Sequence, residues 1–289
     1  MNGILLIDKP EGWTSSDVVA KLRGVLHEKR IGHSGTLDPM ATGLLVLFVG
    51  RATRAVEFAE SQDKHYLAGL RLGLVTDTQD VTGRPIGGEP RPVSRQELED
   101  VLARFRGEIA QIPPMYSAIK VKGQKLYEIA RRGGEMERRP RPVTIRGLEI
   151  VGQEGGDFLL DVRCSKGTYV RTLCHDIGQA LGCGGCMSSL RRLAAGDFRI
   201  EDAHTLDEVI AAADEDRAEA LLLPADSLFS AYPNLRVNAA EERRIRCGNP
   251  LPAKEPEGAY RLYGESGEFL ALARVERGEL KTIKSFFEI

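Results

Sequence analysis

The chain is poor in the features that would mark several protein classes, and each shortage excludes something. It has five cysteines, an odd number in 289 residues, so no disulfide framework is expected and a reducing compartment fits. No apolar run is long enough to cross a bilayer. The first eight residues, Met1 to Asp8, hold only a short apolar stretch closed by an acid, too short for a signal peptide. Cytoplasmic location is therefore expected, with no membrane partner. Net charge is only -2, which by itself argues against a nucleic-acid binder. Internal repeats and low-complexity tracts are missing. Paired acids, a His-Ser-Asp set and a metal-ligand cluster at convincing spacing are missing too, which ranks a carboxylate-dependent hydrolase last among the readings.

What is present describes an ordinary globular chain with an uneven charge distribution. Hydrophobic residues make up 42% and charged residues 28%, enough for one large domain with a small second one. Met115 to Arg146 holds nine Lys/Arg against three Glu, whereas Glu201 to Asp226 holds nine acids against one Arg. A basic segment of this kind can attract phosphates while the acidic one keeps the total near zero.

The stretch from Gly32 to Leu45, reading GHSGTLDPMATGLL, is a polar, glycine-studded loop that runs into the apolar segment Leu44 to Val49. Pro39 biases Asp38 toward extended backbone, and Gly32, Gly35 and Gly43 would let a ligand approach the main chain closely. The apolar run behind the loop reads as a buried strand or helix start that supports it. On these grounds alone, a catalytic carboxylate and a common turn are about equally supported.

Around this loop the periodicity predicts a strand over Ile4 to Ile7 and a helix capped by Ser15 or Ser16 and running to about Leu26. A helix over Arg51 to Glu60 and a strand from Asp63 to Gly73 follow, the latter placing Tyr66 on one face with Ala68 and Leu70. Thr76 to Gly83 is a polar loop, and Ser94 to Glu97 opens a helix to about Phe105. Within the basic segment a short helix ends at Arg131 to Gly133. Strands over Pro140 to Val151 and Phe158 to Cys164 precede a helix with Arg171 in its first turn, which ends near Gly182. An arginine there gains nothing from the helix dipole, which suggests a specific anionic partner. Thr205 caps a further helix. The segment from Ala231 to Asn234 reads as a linker, and short strands after it form a small β-rich module. Cys174-His175 with Cys183 and Cys186 invites a zinc reading. One CxxC and two adjacent helical residues that point apart do not make a site, so no metal is expected.

The fourteen-residue string around Asp38 closely resembles the signature motif of the tRNA pseudouridine-55 synthases of the bacterial stand-alone type, and the resemblance extends over roughly residues 3 to 195. It implies an α+β catalytic domain, residues 1–232, with a central mixed or antiparallel sheet and flanking helices. The tail, residues 233–289, weakly resembles PUA-like RNA-binding domains. The resemblance names Asp38 as the catalytic residue and Arg171 as its partner, which would keep the carboxylate ionised. It implies that Tyr66, in a Lys-x-Tyr pattern, stacks on the target base, that Leu190 lines the base pocket, and that His33 fills the gap the flipped base leaves. Lys9-Pro10 would scaffold the catalytic loop.

The activity implied is isomerisation of uridine to pseudouridine in the T loop of tRNA, with no cofactor and no guide RNA, by a monomer. The base must be flipped, the bond from N1 to C1′ broken, and C5 joined to C1′. Asp38 could act at the sugar as nucleophile or as a base, and the sequence does not choose. The competing reading is a non-catalytic tRNA-folding or RNA-binding protein on the same fold, for which the basic segment would suffice.

Overall fold

The computed structural model describes residues 1–117, 119–121 and 123–288, with the side chains of Lys120 and Lys125 also outside the description. The fold is α+β. A nine-stranded mixed sheet forms its centre, its main path running Gly3–Lys9, Thr42–Val49, Gly185–Ala195, Lys64–Leu72, Asp157–Cys164, Arg141–Glu154 and Gly107–Gln111. Ile31–Ser34 pairs with Thr42–Val49, and Phe198–Arg199 with Gly185–Ala195. Every pairing in this sheet is antiparallel except one. Thr42–Val49 and Gly185–Ala195 run parallel, with Arg191 opposite Thr42 and Arg192 opposite Gly43. The sheet therefore consists of two antiparallel halves joined along a short parallel seam, and the Asp38 loop enters the sheet at that seam.

Hydrophobic patterning explains why this sheet is covered on both faces. From Gly43 to Val49 every residue is buried, as a strand needs when helices lie on either side. One face packs Leu5, Ile7, Leu45 and Leu47 against Val18 and Leu22 of the helix Ser15–Val25. In the other half of the sheet Ala68, Leu70, Leu160 and Val162 pack against Leu98 and Leu102 of the helix Arg95–Leu102 and against Leu173 and Ile177 of the helix Val170–Ala180.

Two expectations change at this level. The first helix is capped by Thr14 in a reciprocal box with Asp17, not by Ser15 or Ser16. Ser15 is turned inward instead, its hydroxyl accepting from the Leu37 amide at 2.9 Å, so the helix start holds the Asp38 loop. The segment from Gly185 to Ala195 is a long central strand, which its mixed polar and apolar sequence does not announce.

A second sheet of five strands follows, in the order Asn234–Arg236, Gly258–Tyr263, Phe269–Glu276, Glu279–Ser285 and Leu251–Pro252. Its helix Ala239–Arg246, capped by Asn238, was not anticipated from the turn-rich sequence. This sheet is not loosely tethered. Leu272 and Phe286 share one apolar cluster with Phe48 and Phe229 of the main body, and the Phe286 ring lies 5.9 Å from that of Phe229.

Candidate active site

The loop that carries Asp38 is fastened from beneath. Lys9 is fully buried, and its ammonium donates to the carbonyls of Pro10 at 2.8 Å, Trp13 at 2.6 Å and Pro39 at 3.4 Å. The Gly12 amide donates to the same Pro39 carbonyl at 2.8 Å, and the Ala41 amide closes the turn onto the Asp38 carbonyl at 3.0 Å. Burial lowers the Lys9 ammonium to about 8, with the neighbouring Asp38 carboxylate opposing that shift. Lys9 thus ties down the backbone next to Asp38.

Arg171 forms a fork on Asp38, with Nε 3.0 Å from Oδ2 and Nη2 donating to Oδ1 at 3.4 Å. The arginine is itself held rigidly. Nη1 donates to the Thr78 carbonyl at 3.1 Å, Nη2 donates to the Tyr116 carbonyl at 2.8 Å, and Asp80 Oδ2 lies 3.6 Å from Nη1. The side chain of Arg171 is 8% exposed while that of Asp38 is 38% exposed. The partner is sealed and the carboxylate is reachable, as a group that must meet a ligand requires.

Arg171 favours the ionised form of Asp38, as an opposite charge at this distance should, but it does not act alone. Burial raises the Asp38 carboxyl above the ordinary value; Arg171 pulls it down, Asp80 pushes it up and Lys9 pulls it down, and burial is the largest influence. Asp80 is a residue the sequence reading left as a mere loop carboxylate. It is 4% exposed and is held by the hydroxyls of Thr78 at 2.8 Å and Thr82 at 2.6 Å and by the Thr82 amide at 3.0 Å. Its commitment to those donors and to Arg171 explains why the loop from Thr76 to Gly83 does not present a cation cage. Among the described residues no cluster of three His, Cys, Asp or Glu groups could hold a metal ion.

The remaining expected site residues lie around the same point. Tyr66 packs against the apolar cluster that contains Leu37, Ala41 and Leu190, with Met40 beside it. Leu190 stands opposite Ala68 and Arg192 opposite Tyr66 across an antiparallel pair, so all four side chains share one face. Burial raises the Tyr66 phenol, which leaves it protonated at neutral pH. His33, on Ile31–Ser34, is lowered by burial and then by the positive charge of Arg192, so its ring is neutral. Its Nδ1 is buried with no hydrogen-bond partner among the described residues.

Two glycines of the loop are also required by packing inside the protein. A Cβ on Gly43, whose φ is +96°, would lie 2.4 Å from the Arg192 carbonyl, and one on Gly35 would lie 3.2 Å from Arg192 Nη1. Gly43 thus makes room for the backbone of the neighbouring strand and Gly35 for the Arg192 guanidinium. Arg192 is the residue that reasoning from the sequence missed. The only signal for it was a pair of adjacent arginines in a stretch of mixed polarity, where one of the two had to point inward on a strand.

The fold thus brings to one place a reachable aspartate, a buried arginine forked onto it and an apolar face that carries a protonated phenol. Residues 23–170 match the family model described as TruB family pseudouridylate synthase (N terminal domain). Residues 171–230 match that of the tRNA pseudouridylate synthase B C-terminal domain. The chain is 46% identical to tRNA pseudouridine synthase B of Azoarcus sp. (strain BH72), over 97% of this chain and 93% of that one. It is 42% identical to the same-named protein of Syntrophotalea carbinolica, over 99% and 98%. Among solved structures, a Cbf5-Nop10-Gar1 complex superposes with a TM-score of 0.75 at 27% identity, covering 99% of this chain and 85% of that one. The chain belongs to the TruB family of pseudouridylate synthases.

Proposed function

We propose that this enzyme isomerises uridine to pseudouridine at position 55 in the T loop of tRNA, with Asp38 as the catalytic residue. The observation that carries the reading is the Asp38 carboxylate itself: half-exposed, gripped from behind by Arg171, and bordered by Tyr66 and Leu190 on one apolar face. Breaking the bond from N1 to C1′ leaves a uracil that must turn without leaving. An apolar slot suits that better than a lattice of hydrogen bonds would. Tyr66 stacks on the flipped base, Leu190 lines the slot, and neutral His33 occupies the space vacated in the RNA. Extruding a loop base costs a few kcal/mol, least where stacking is already incomplete, which favours a T loop over a duplex. The enzyme acts as a monomer in the cytoplasm on the T arm alone, without guide RNA or cofactor. No helix among the described residues is long and apolar enough to cross a membrane. The non-catalytic reading leaves the Asp38 fork without a purpose. The direct test is tritium release from C5-labelled uridine in a T-arm transcript; a transcript that is bound and never releases tritium would refute catalysis.

Two further outcomes follow from the same arrangement. Tyr66→Phe keeps a ring to stack on and Tyr66→Leu removes it, so Leu should hold a fluorescent base analogue more weakly than Phe by about 1–3 kcal/mol. Equal binding by both variants would show that Tyr66 does not touch the base. The basic segment and residues 233–289 grip the RNA backbone. Replacing Lys120, Lys122, Lys125, Arg131 and Arg132 by Gln should flatten the salt dependence of RNA affinity by about 0.7 to 0.9 in slope for each phosphate that is no longer neutralised. Lys122 and the side chains of Lys120 and Lys125 lie outside the described residues. Turnover at saturating RNA should persist, and an unchanged slope would remove the segment from the interface.

A further inference from the structure

Among the described residues, four other than glycine have a positive φ: His27, Gln79, Asp216 and Arg277. Three of them stand where left-handed backbone is ordinary. His27 and Asp216 follow helix ends at Leu26 and Glu215, and Arg277 lies with Gly278 in the two-residue turn between Phe269–Glu276 and Glu279–Ser285. Gln79, at φ +65°, lies instead in the loop from Thr76 to Gly83, where its amide closes a turn on the Thr76 carbonyl at 3.2 Å. Gly or Asn fills such a position with less strain than Gln does. What the longer side chain adds is a reach across to the helix Val170–Ala180. Gln79 Oε1 accepts from the hydroxyl of Thr172 at 2.8 Å, and Thr172 is 2% exposed.

Gln79 also stands between the two groups that face Nη1 of Arg171. The Thr78 carbonyl accepts from Nη1 at 3.1 Å, and Asp80 Oδ2 lies 3.6 Å from it. The backbone angles of Gln79 therefore set the spacing of these two oxygens. The main chain around them is laced to the strand Gly185–Ala195: the Met187 amide donates to the Gln79 carbonyl at 3.0 Å, and the Val81 amide donates to the Met187 carbonyl at 2.9 Å. Those bonds fix the loop to the sheet. The bond from Thr172 fixes it to the helix, one residue beyond Arg171.

We infer that Gln79 is a positioning residue of the reaction: its left-handed backbone and its side-chain amide together hold the Thr78 carbonyl and the Asp80 carboxylate against Arg171, and so keep the Arg171 fork on Asp38. An arginine gripped at Nη1 has little freedom left to turn Nε and Nη2 off the carboxylate. With the loop released from the helix, the fork opens for part of the time. The protonated form of Asp38 then gains, because the opposite charge beside it is less firmly placed. The inference rests on Asp38 being the catalytic residue, as proposed above.

The test is Gln79→Gly in the full-length protein, with Thr172→Val and Thr172→Ser beside it, read by kcat, KM, the pH profile of kcat and thermal unfolding. Glycine takes the same φ without strain, which offsets the lost hydrogen bond, so the melting temperature should stay within about 4 °C of the parent. The value of kcat should fall about tenfold with KM unchanged, and its acid limb should move to higher pH. Thr172→Val removes the hydroxyl and should show the same loss, which Thr172→Ser should largely restore. Gln79→Gly combined with Thr172→Val should lose no more than either alone. A parental kcat or an unmoved acid limb in Gln79→Gly, losses that multiply in the double variant, or a rise in KM alone would each overturn the inference. So would a melting temperature that falls clearly further, which would make Gln79 a structural residue. The reading of Asp38 fails separately, on a parental rate for Asp38→Asn.

Discussion

Asp38→Asn is expected to bind RNA as the parent does and to turn over more slowly by a factor of about 10³ or more, because one carboxylate performs the covalent or proton-transfer step. Asn keeps the shape of the side chain and an oxygen for the Arg171 fork, so the loop should remain in place on Lys9, Ser15 and Gly12. A single-turnover rate close to that of the parent would refute the assignment of Asp38. The same variant has a stability signature. Burial holds the Asp38 carboxyl above its ordinary value despite Arg171 and Lys9. The folded protein therefore keeps this proton to a higher pH than the unfolded chain does, and stability is lost as pH rises from the unfolded value through the folded one. Asn cannot ionise and escapes that loss. Its unfolding free energy, compared with that of the parent, should rise across this interval and level off on either side. A difference independent of pH in denaturant titrations would show that the carboxyl is not raised.

The second large effect is expected at Arg171. Arg171→Met removes a cation that is 7% exposed from between two carboxylates, Asp38 and the nearly sealed Asp80. Breaking a buried pair on one side commonly costs about 3–5 kcal/mol, because a charge is left without compensation. The variant should melt well below the parent. Its surviving activity should also titrate differently: without the guanidinium the protonated form of Asp38 gains further, so the acid limb of the rate profile moves to higher pH. Arg171→Lys returns a positive charge without the planar fork and should recover part of the stability and little of the rate. An acid limb that stays in place in Arg171→Met would show that Arg171 does not govern the ionisation of Asp38. Loss of stability alone would then be its whole contribution.

What the sequence determined by itself was local. Glycine, proline and aspartate in one short string, followed by an apolar run, are enough to place a carboxylate on a turn backed by a strand, because these residues act through their own backbone preferences and through burial of their neighbours. The strands of Tyr66 and of Val162 and the helix of Arg171 were legible in the same way, from periods of two and of 3.6. The tertiary structure decided everything that depends on distance across the chain. Gly185–Ala195 carries polar residues inward and so lacks a strand's alternation; only its place between Thr42–Val49 and Lys64–Leu72 makes it the centre of the sheet. That placement turned Arg192 into the core, set Leu190 beside Tyr66, and showed that Gly35 makes room for the Arg192 guanidinium and Gly43 for the backbone of the neighbouring strand. Asp80 likewise became the second carboxylate on Arg171 only when residues far apart in sequence met. The net upward shift of Asp38 belongs with these. Its sign depends on whether burial outweighs an opposite charge 3.0 Å away, and burial is a property of the packed fold that no residue type carries alone.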